Sequence, residues 1–545
     1  MRKYIFVTGG VCSSLGKGIA AASMGLLLKR MGYKVVPMKI DPYLNVDPGT
    51  MNPERHGEVF VTDDGSEADL DLGHYERFLD QPVSKLSTVT MGQVYKTVLQ
   101  LERTGGYLGR DIQVIPHITD EIKRRVYALG EESKADVVII EIGGTIGDIE
   151  AQPCFEAIRQ IQQEAGWQHA LCVMLTLVPY LQSSKETKTK PTQMAAKELT
   201  RIGINPDIIL CRSDFSIPED QLRKISSFCN VPREAVIPAY TLDSIYAVPS
   251  ALASFGLHTF IQQRLQLPTK GKTKPNIRDF ANLRQVIDDP FAGKVRIGMV
   301  TKYNELDDAY ISVHEALKAA CYAVGKHPEL LHINSELLES ERKGEENGEW
   351  AKLRSCHGVL VPGGFGKRGI EGKIMAAEYA RTNNIPYFGI CLGSQILAIE
   401  FARSVCNMQG ANSTEVAPNT TYPIVDIMEE QKEVRKKGGT MRKGSYPCAL
   451  KEGTRSAKAY GIKTIHERHR HRYEFNNLYR KDLEKAGLVI AGTFKEKNIV
   501  EIVEVGAHPF MVGCQFHPEF LSRPTRPHPL FLGFIQASVK YGDKQ

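Results

Sequence analysis

Short runs rich in Val and Ile alternate with longer segments of helical period along most of the chain, and this alternation constrains the fold more than any other feature. Tyr4–Thr8, Lys34–Lys39, Ile112–Ile115, Asp136–Ile142, Leu171–Val178 and Asp207–Cys211 read as buried strands, each bounded by Gly, Pro or polar residues. Lys17–Met31, Thr119–Leu129 and Thr192–Arg201 read as helices. A strand buried on both faces loses the apolar–polar alternation of a half-exposed one, and an intervening helix lets successive strands run parallel. The pattern predicts an α/β fold, with parallel sheets covered by helices on both faces.

The alternation lapses between Leu267 and Gly293, where Pro268-Thr-Lys-Gly-Lys-Thr-Lys-Pro275 is basic and poor in apolar residues. This stretch reads as a linker. Strands resume at Val295–Thr301, Gly358–Pro362, Pro386–Ile390 and Met511–Phe516. The expected organisation is therefore two doubly wound α/β domains, residues 1–267 and 294–545, joined by a linker over 268–293. A length of 545 residues agrees, since one hydrophobic core rarely serves so long a chain. The polar stretch 428–446 reads as an exposed loop.

Composition excludes several classes. A net charge of +6 on this length gives no case for nucleic-acid binding, though a local basic pocket for phosphate fits. The eleven cysteines are odd in number and lack C-x-x-C spacing, which argues against zinc or a disulfide framework and for a reducing cytoplasm. The apolar run Tyr4–Val7 is too short for a signal peptide, and Ala170–Leu181 is too short to span a bilayer.

Two local patterns carry chemistry. The first strand runs into Gly9-Gly10-Val11-Cys12-Ser13-Ser14-Leu15-Gly16-Lys17-Gly18, with a helix after it. Backbone N–H groups and a helix N-terminus there can cradle phosphates, and Lys17 can neutralise them. The loop departs from the standard phosphate loop: five residues separate Gly10 from Gly16, and Gly18 replaces the usual hydroxyl residue. By pattern alone it can also be a plain glycine-rich turn. Asp69, Asp71 and the strand-end Glu141 are candidate carboxylates for magnesium, or else, for the first two, solvated surface charges. Lys39, at the end of the second strand, is a further cation for phosphate.

The second pattern is Gly389-Ile390-Cys391-Leu392-Gly393, between a strand and a helical run. Flanking glycines permit a sharp elbow, and the helix N-terminus favours a thiolate. The Leu392 amide can serve an oxyanion hole, with a second donor from Gly363–Gly366. His517-Pro518-Glu519 follows another strand, and this spacing lets the carboxylate orient an imidazole that acts as base. Taken singly, each motif also reads as structural.

The C-terminal domain resembles class I glutamine amidotransferases through Gly358–Gly366, the Cys391 elbow and the His517/Glu519 pair. The resemblance implies Cys391, His517 and Glu519 as catalytic residues, and glutamine contacts from Gly364, Leu392, Gly393, Ser394, Gln395, Glu415 and Arg472. Residue types agree, since a free amino acid needs a carboxylate for its ammonium and a cation for its carboxylate. By sequence the run Arg468–Glu474 could equally be a solvated basic face.

Nearly the whole chain resembles the CTP synthase family. Gly9–Gly18, Lys39–Asn45, His56–Val61, Asp69–Glu76, Glu141–Glu150 and Lys188–Gln193 carry the likeness. It implies a P-loop-like synthetase domain ahead of the glutaminase, using UTP, ATP and glutamine with Mg2+. ATP contacts fall on Ser14, Leu15, Gly16, Lys17, Gly18, Ile19 and Asp71, with metal at Asp71 and Glu141. UTP and the feedback inhibitor CTP fall on Ser13, Asp148, Ile149, Glu150, Lys188, Thr189, Lys190, Pro191, Thr192, Gln193 and Lys224. The likeness is poorer at Ala239–Asp243, which leaves the adenine contacts open. It further implies GTP activation through Gly366–Lys373 and a homotetramer. A different ATP-dependent amidoligase and a non-catalytic assembly protein are the competing readings.

Overall fold

The computed structural model describes residues 2–302, 307–341, 348–427 and 441–545. Of the stretch expected as a loop, 428–440 lies outside the described residues. Two compact units emerge: residues 1–48 with 71–285, and residues 49–70 with 286–545.

The first unit is built on a seven-stranded sheet. In spatial order its strands are Val236–Tyr240, Ile208–Ser213, Ala170–Leu177, Lys3–Gly9, Val137–Ile142, Val35–Asp41 and Thr88–Thr90, and every neighbouring pair is parallel. The central strands Lys3–Gly9 and Val137–Ile142 are buried along their whole length, which is why they read as unbroken apolar runs. The helix Lys17–Arg30 is buried from Lys17 to Leu28 apart from Ile19, so it lacks a marked polar face.

The second unit holds a nine-stranded sheet in the order His327–Asn334, Lys294–Thr301, Gly358–Val361, Tyr387–Ile390, Met511–Cys514, Ile499–Val505, Leu488–Phe494, Arg442–Leu450 and Thr464–His471. The first five strands are parallel and the last four join antiparallel. The α/β class is as expected; the antiparallel extension is additional.

Three local readings change. Ile112–Ile115 is not a strand: Val114–Ile118 forms a π-helical turn in which Ile115 alone is extended. Pro116 forces that extension, but both apolar side chains stand half exposed, so no sheet edge claims them. Arg442–Tyr446 is not loop but the start of the strand Arg442–Leu450. Within 268–293, Arg278–Ile287 is helical, burying Phe280 and Leu283. Among the described residues no helix is long and apolar enough to cross a membrane.

Candidate functional site

In the first unit, segments far apart in sequence meet at the carboxyl end of the parallel sheet. Gly10 lies where a methyl group would stand 2.4 Å from Cβ of Ala195, so the helix Lys190–Arg201 packs directly on the glycine-rich loop. Ile146 N donates to Gly9 O at 2.8 Å, which brings in the segment that leads to Asp148. Asp148 itself accepts from Thr145 N at 2.6 Å, while Ile149 and Glu150 are exposed. Gly16 takes φ +90°, a turn that frees the next amides to begin the helix at Lys17.

Lys17 Nζ donates to Gly144 O at 2.6 Å, and burial lowers its pKa. Asp71 sits against Gly18, where a methyl group would stand 2.0 Å from Oδ1. Lys39 bonds Asp71 and lies 3.3 Å from Glu141, whose other oxygen accepts from Tyr75. Burial pushes Asp71 up, but the Lys39, His74 and Lys17 charges outweigh it and hold its carboxyl below the usual range. Burial and the neighbouring Asp71 charge push Glu141 up to about 7. Two hard oxygen donors squeezed together among lysines fit a divalent cation shared with phosphates. Among the described residues no cluster of three or more His, Cys, Asp or Glu side chains could enclose a metal by itself.

The region left open in sequence finds a place. Ser14, Leu15, Gly16 and Ile19 line a mostly apolar cavity of about 220 Å³ with Arg212, Ala239, Tyr240, Leu242 and Phe255. The pyrimidine candidates are less concentrated. Thr189, Thr192 and Gln193 are buried, with Gln193 Nε2 donating to Thr189 Oγ1 at 3.1 Å. Pro191 and Lys190 open the helix, Ser13 and Lys224 are exposed, and Lys188 pairs with Glu186.

In the second unit Cys391 joins the strand Tyr387–Ile390 to the helix Leu392–Ser404, with φ 50° and ψ −100°. That conformation is strained for a non-glycine residue and persists because its surroundings fix it. A methyl group on Gly389 would stand 2.3 Å from Gly393 O, and one on Gly393 2.0 Å from Val361 O. Gly393→Ala is expected to destabilise the protein by about 3 kcal/mol through overpacking. An unchanged denaturation midpoint would contradict this.

His517 and Cys391 both lie against Gly363, where a methyl group would stand 2.9 Å from His517 Cε1 and 3.6 Å from Cys391 Cβ. His517 Nδ1 is 2.7 Å from Glu519 Oε1. Burial pulls the imidazolium down, but the Glu519 charge, and after it Cys391, carry its pKa up to about 10 from 6.5. A raised histidine stabilises the fold fully below its unfolded value, and the contribution is lost as pH rises through the folded one. The gap in melting temperature between the protein and His517→Asn should therefore narrow from pH 6 to pH 10. A constant gap would contradict the charged pair.

Glu415 Oε1 accepts from Gly366 N at 2.9 Å, and Gln395 Nε2 donates to Tyr473 O, beside Arg472, at 3.1 Å. A methyl group on Gly364 would stand 3.6 Å from Leu392 Cδ2. The run Arg468–His471 is no solvated face: Arg468, His469 and His471 are buried in an edge strand. Two groups escaped the sequence reading. Gln515 Nε2 lies 3.7 Å from Cys391 Sγ. Lys302, just past the strand Lys294–Thr301, would meet a methyl group on Gly364 at 3.1 Å, and burial draws its pKa to about 8 against the pull of Glu415. Its strand-end position was the available signal.

A family model described as "CTP synthase N-terminus" matches residues 3–267, and one described as "Glutamine amidotransferase class-I" matches 305–537. A CTP synthase of Shouchella clausii is 53% identical over 98% of this chain and 99% of its own length. One of Staphylococcus aureus strain JH9 is 52% identical over 99% of both. Among solved structures, the glutaminase domain of Trypanosoma brucei CTPS with bound acivicin is 38% identical, with a TM-score of 0.41, over 45% of this chain and 94% of that one.

Proposed function

The chain belongs to the CTP synthase family, and from that premise we propose that its two units divide one amination between them. The second unit, the glutaminase part of residues 294–545, releases ammonia. Cys391 attacks the side-chain amide of glutamine with its proton already resting on His517, which Glu519 orients, and His517 passes that proton to the departing ammonia. The Leu392 amide and the Gly363–Gly364 backbone receive the oxyanion. Glu415 and Arg472 hold the ammonium and carboxylate of the amino acid, with Gly393, Ser394 and Gln395 lining its path. Water then cleaves the thioester to glutamate.

The first unit, which holds the synthetase site within residues 1–267, prepares the acceptor. ATP phosphates rest on Ser14–Ile19 and on Lys17, and the base occupies the cavity beside Arg212 and Tyr240. Magnesium, when bound at Asp71 and Glu141, neutralises phosphate charge. UTP is held by Ser13, Lys188–Gln193 and Lys224. The uracil O4 atom is a poor leaving group; phosphorylated by ATP it leaves as phosphate when ammonia attacks C4, giving CTP and ADP. Asp148, Ile149 and Glu150 serve CTP feedback, Gly366–Lys373 serve GTP activation, and the protein works as a cytoplasmic homotetramer.

The observation that carries the reading is the meeting of Cys391 and His517 at Gly363, with Glu519 bonded to the imidazole through Nδ1. With ATP, magnesium and glutamine, UTP should yield CTP, ADP, phosphate and glutamate in equal amounts. Amidation of a carboxylate acceptor with UTP left untouched would sink the proposal and favour another amidoligase.

A further inference from the structure

Residues Gly49–Leu70 belong to the same compact unit as Val286–Gln545. At their centre is an antiparallel ribbon, Phe60–Val61 against Glu67–Ala68. The ribbon is fastened to the two last strands of the large sheet. Ser445 N donates to Asp63 O at 2.9 Å, and Lys443 Nζ and Arg470 Nε each donate to Glu67 at 2.8 Å. Arg468, whose side chain is fully buried, donates to Asp63 Oδ1 at 2.6 Å and to Val61 O at 3.1 Å.

From this ribbon a line of rings leads to the imidazole. The Arg468 guanidinium lies 5.4 Å from the centre of the Phe60 ring. Phe60 is fully buried and meets Phe520 edge-on at 5.0 Å. Phe520 stacks on His517 at 5.3 Å, with 15° between the ring planes. The same Arg468 accepts the His517 backbone N–H through its carbonyl at 2.7 Å. Main chain and ring of His517 are thus both set from one anchor.

We propose that Phe60 is a positioning residue for His517: it presses Phe520 onto the imidazole face, and Arg468 clamps Phe60 in place. The hydrogen bond from Nδ1 to Glu519 does not by itself fix the tilt of the ring plane. A flat neighbour on its face removes the tilt and keeps Nε2 in the orientation that serves the thiol. The inference rests on the reading of Cys391 and His517 as nucleophile and base.

The test uses the full chain with Phe60→Leu, Arg468→Lys and Cys391→Ser, measuring glutaminase kcat and KM beside CTP formation from ammonium. Small displacements of a catalytic group cost much rate, so Phe60→Leu should lower glutaminase kcat about tenfold with KM for glutamine within about twofold. CTP formation from ammonium should be unaffected. An unchanged kcat, or a rise in KM alone, overturns the proposal. If Phe60→Leu fails to fold, Arg468→Lys decides by the same split, and an unchanged kcat there overturns it equally. Glutamine hydrolysis surviving in Cys391→Ser refutes the underlying site instead. An inactive Cys391→Ser beside a normal Phe60→Leu refutes only the positioning role.

Discussion

Cys391→Ala is expected to abolish glutamine-dependent CTP formation, by about 10⁴-fold or more, while amination from added ammonium salts continues. The size follows from the chemistry. Without the thiol no thioester forms, and neither His517 nor the oxyanion donors can replace the missing bond. The separation follows from the architecture, since Cys391 lies in the second unit and the glycine-rich loop in the first. Alanine is small and apolar and suits a residue only 4% exposed, so the elbow should survive the change. Steady-state assays with the two nitrogen sources, beside a melting curve, check the outcome. Loss of both activities in a folded variant would show that the roles are not divided in this way.

Lys17→Ala is expected to remove both activities together. Lys17 is buried, its ammonium is 2.6 Å from Gly144 O, and it lies at the first position of the helix that follows the loop. A charge held there in place acts on phosphate without reorganisation, and its loss should lower kcat/KM for ATP by about 10²- to 10³-fold. Glutamine and ammonium should fail equally as nitrogen sources, because the acceptor is no longer activated. A variant that lost only the glutamine-dependent reaction would place Lys17 outside the phosphate site. Lys17→Arg retains charge but not the fit beneath Gly9, where a methyl group would already lie 2.9 Å from Nζ, and it should recover little.

What was legible in the sequence was local. The glycine-rich loop and the Cys391 elbow announce themselves because their conformations demand small residues at fixed offsets, and the central strands do so because burial on both faces leaves an unbroken apolar run. What was not legible depends on distant pairings. Thr88–Thr90 is too short to show a period, yet it closes one edge of the first sheet through Val35–Asp41. Lys302 and Gln515 reach the Cys391 region only because the sheet sets their strands near it. The ribbon at Phe60 lies before Asp71 in sequence but folds with residues beyond 286, a choice made by Arg468, Arg470 and Lys443. Ile112–Ile115 misled because its extended backbone belongs to Pro116 rather than to a sheet.

The central claim is that nitrogen freed at Cys391 ends on C4 of the pyrimidine. Glutamine labelled with 15N in its side-chain amide, supplied with UTP, ATP and magnesium, tests it directly by mass spectrometry of the product. The account predicts label in the exocyclic amine of CTP in step with glutamate formed, and none with Cys391→Ala. Unlabelled CTP, or glutamate accumulating while UTP remains intact, would contradict it.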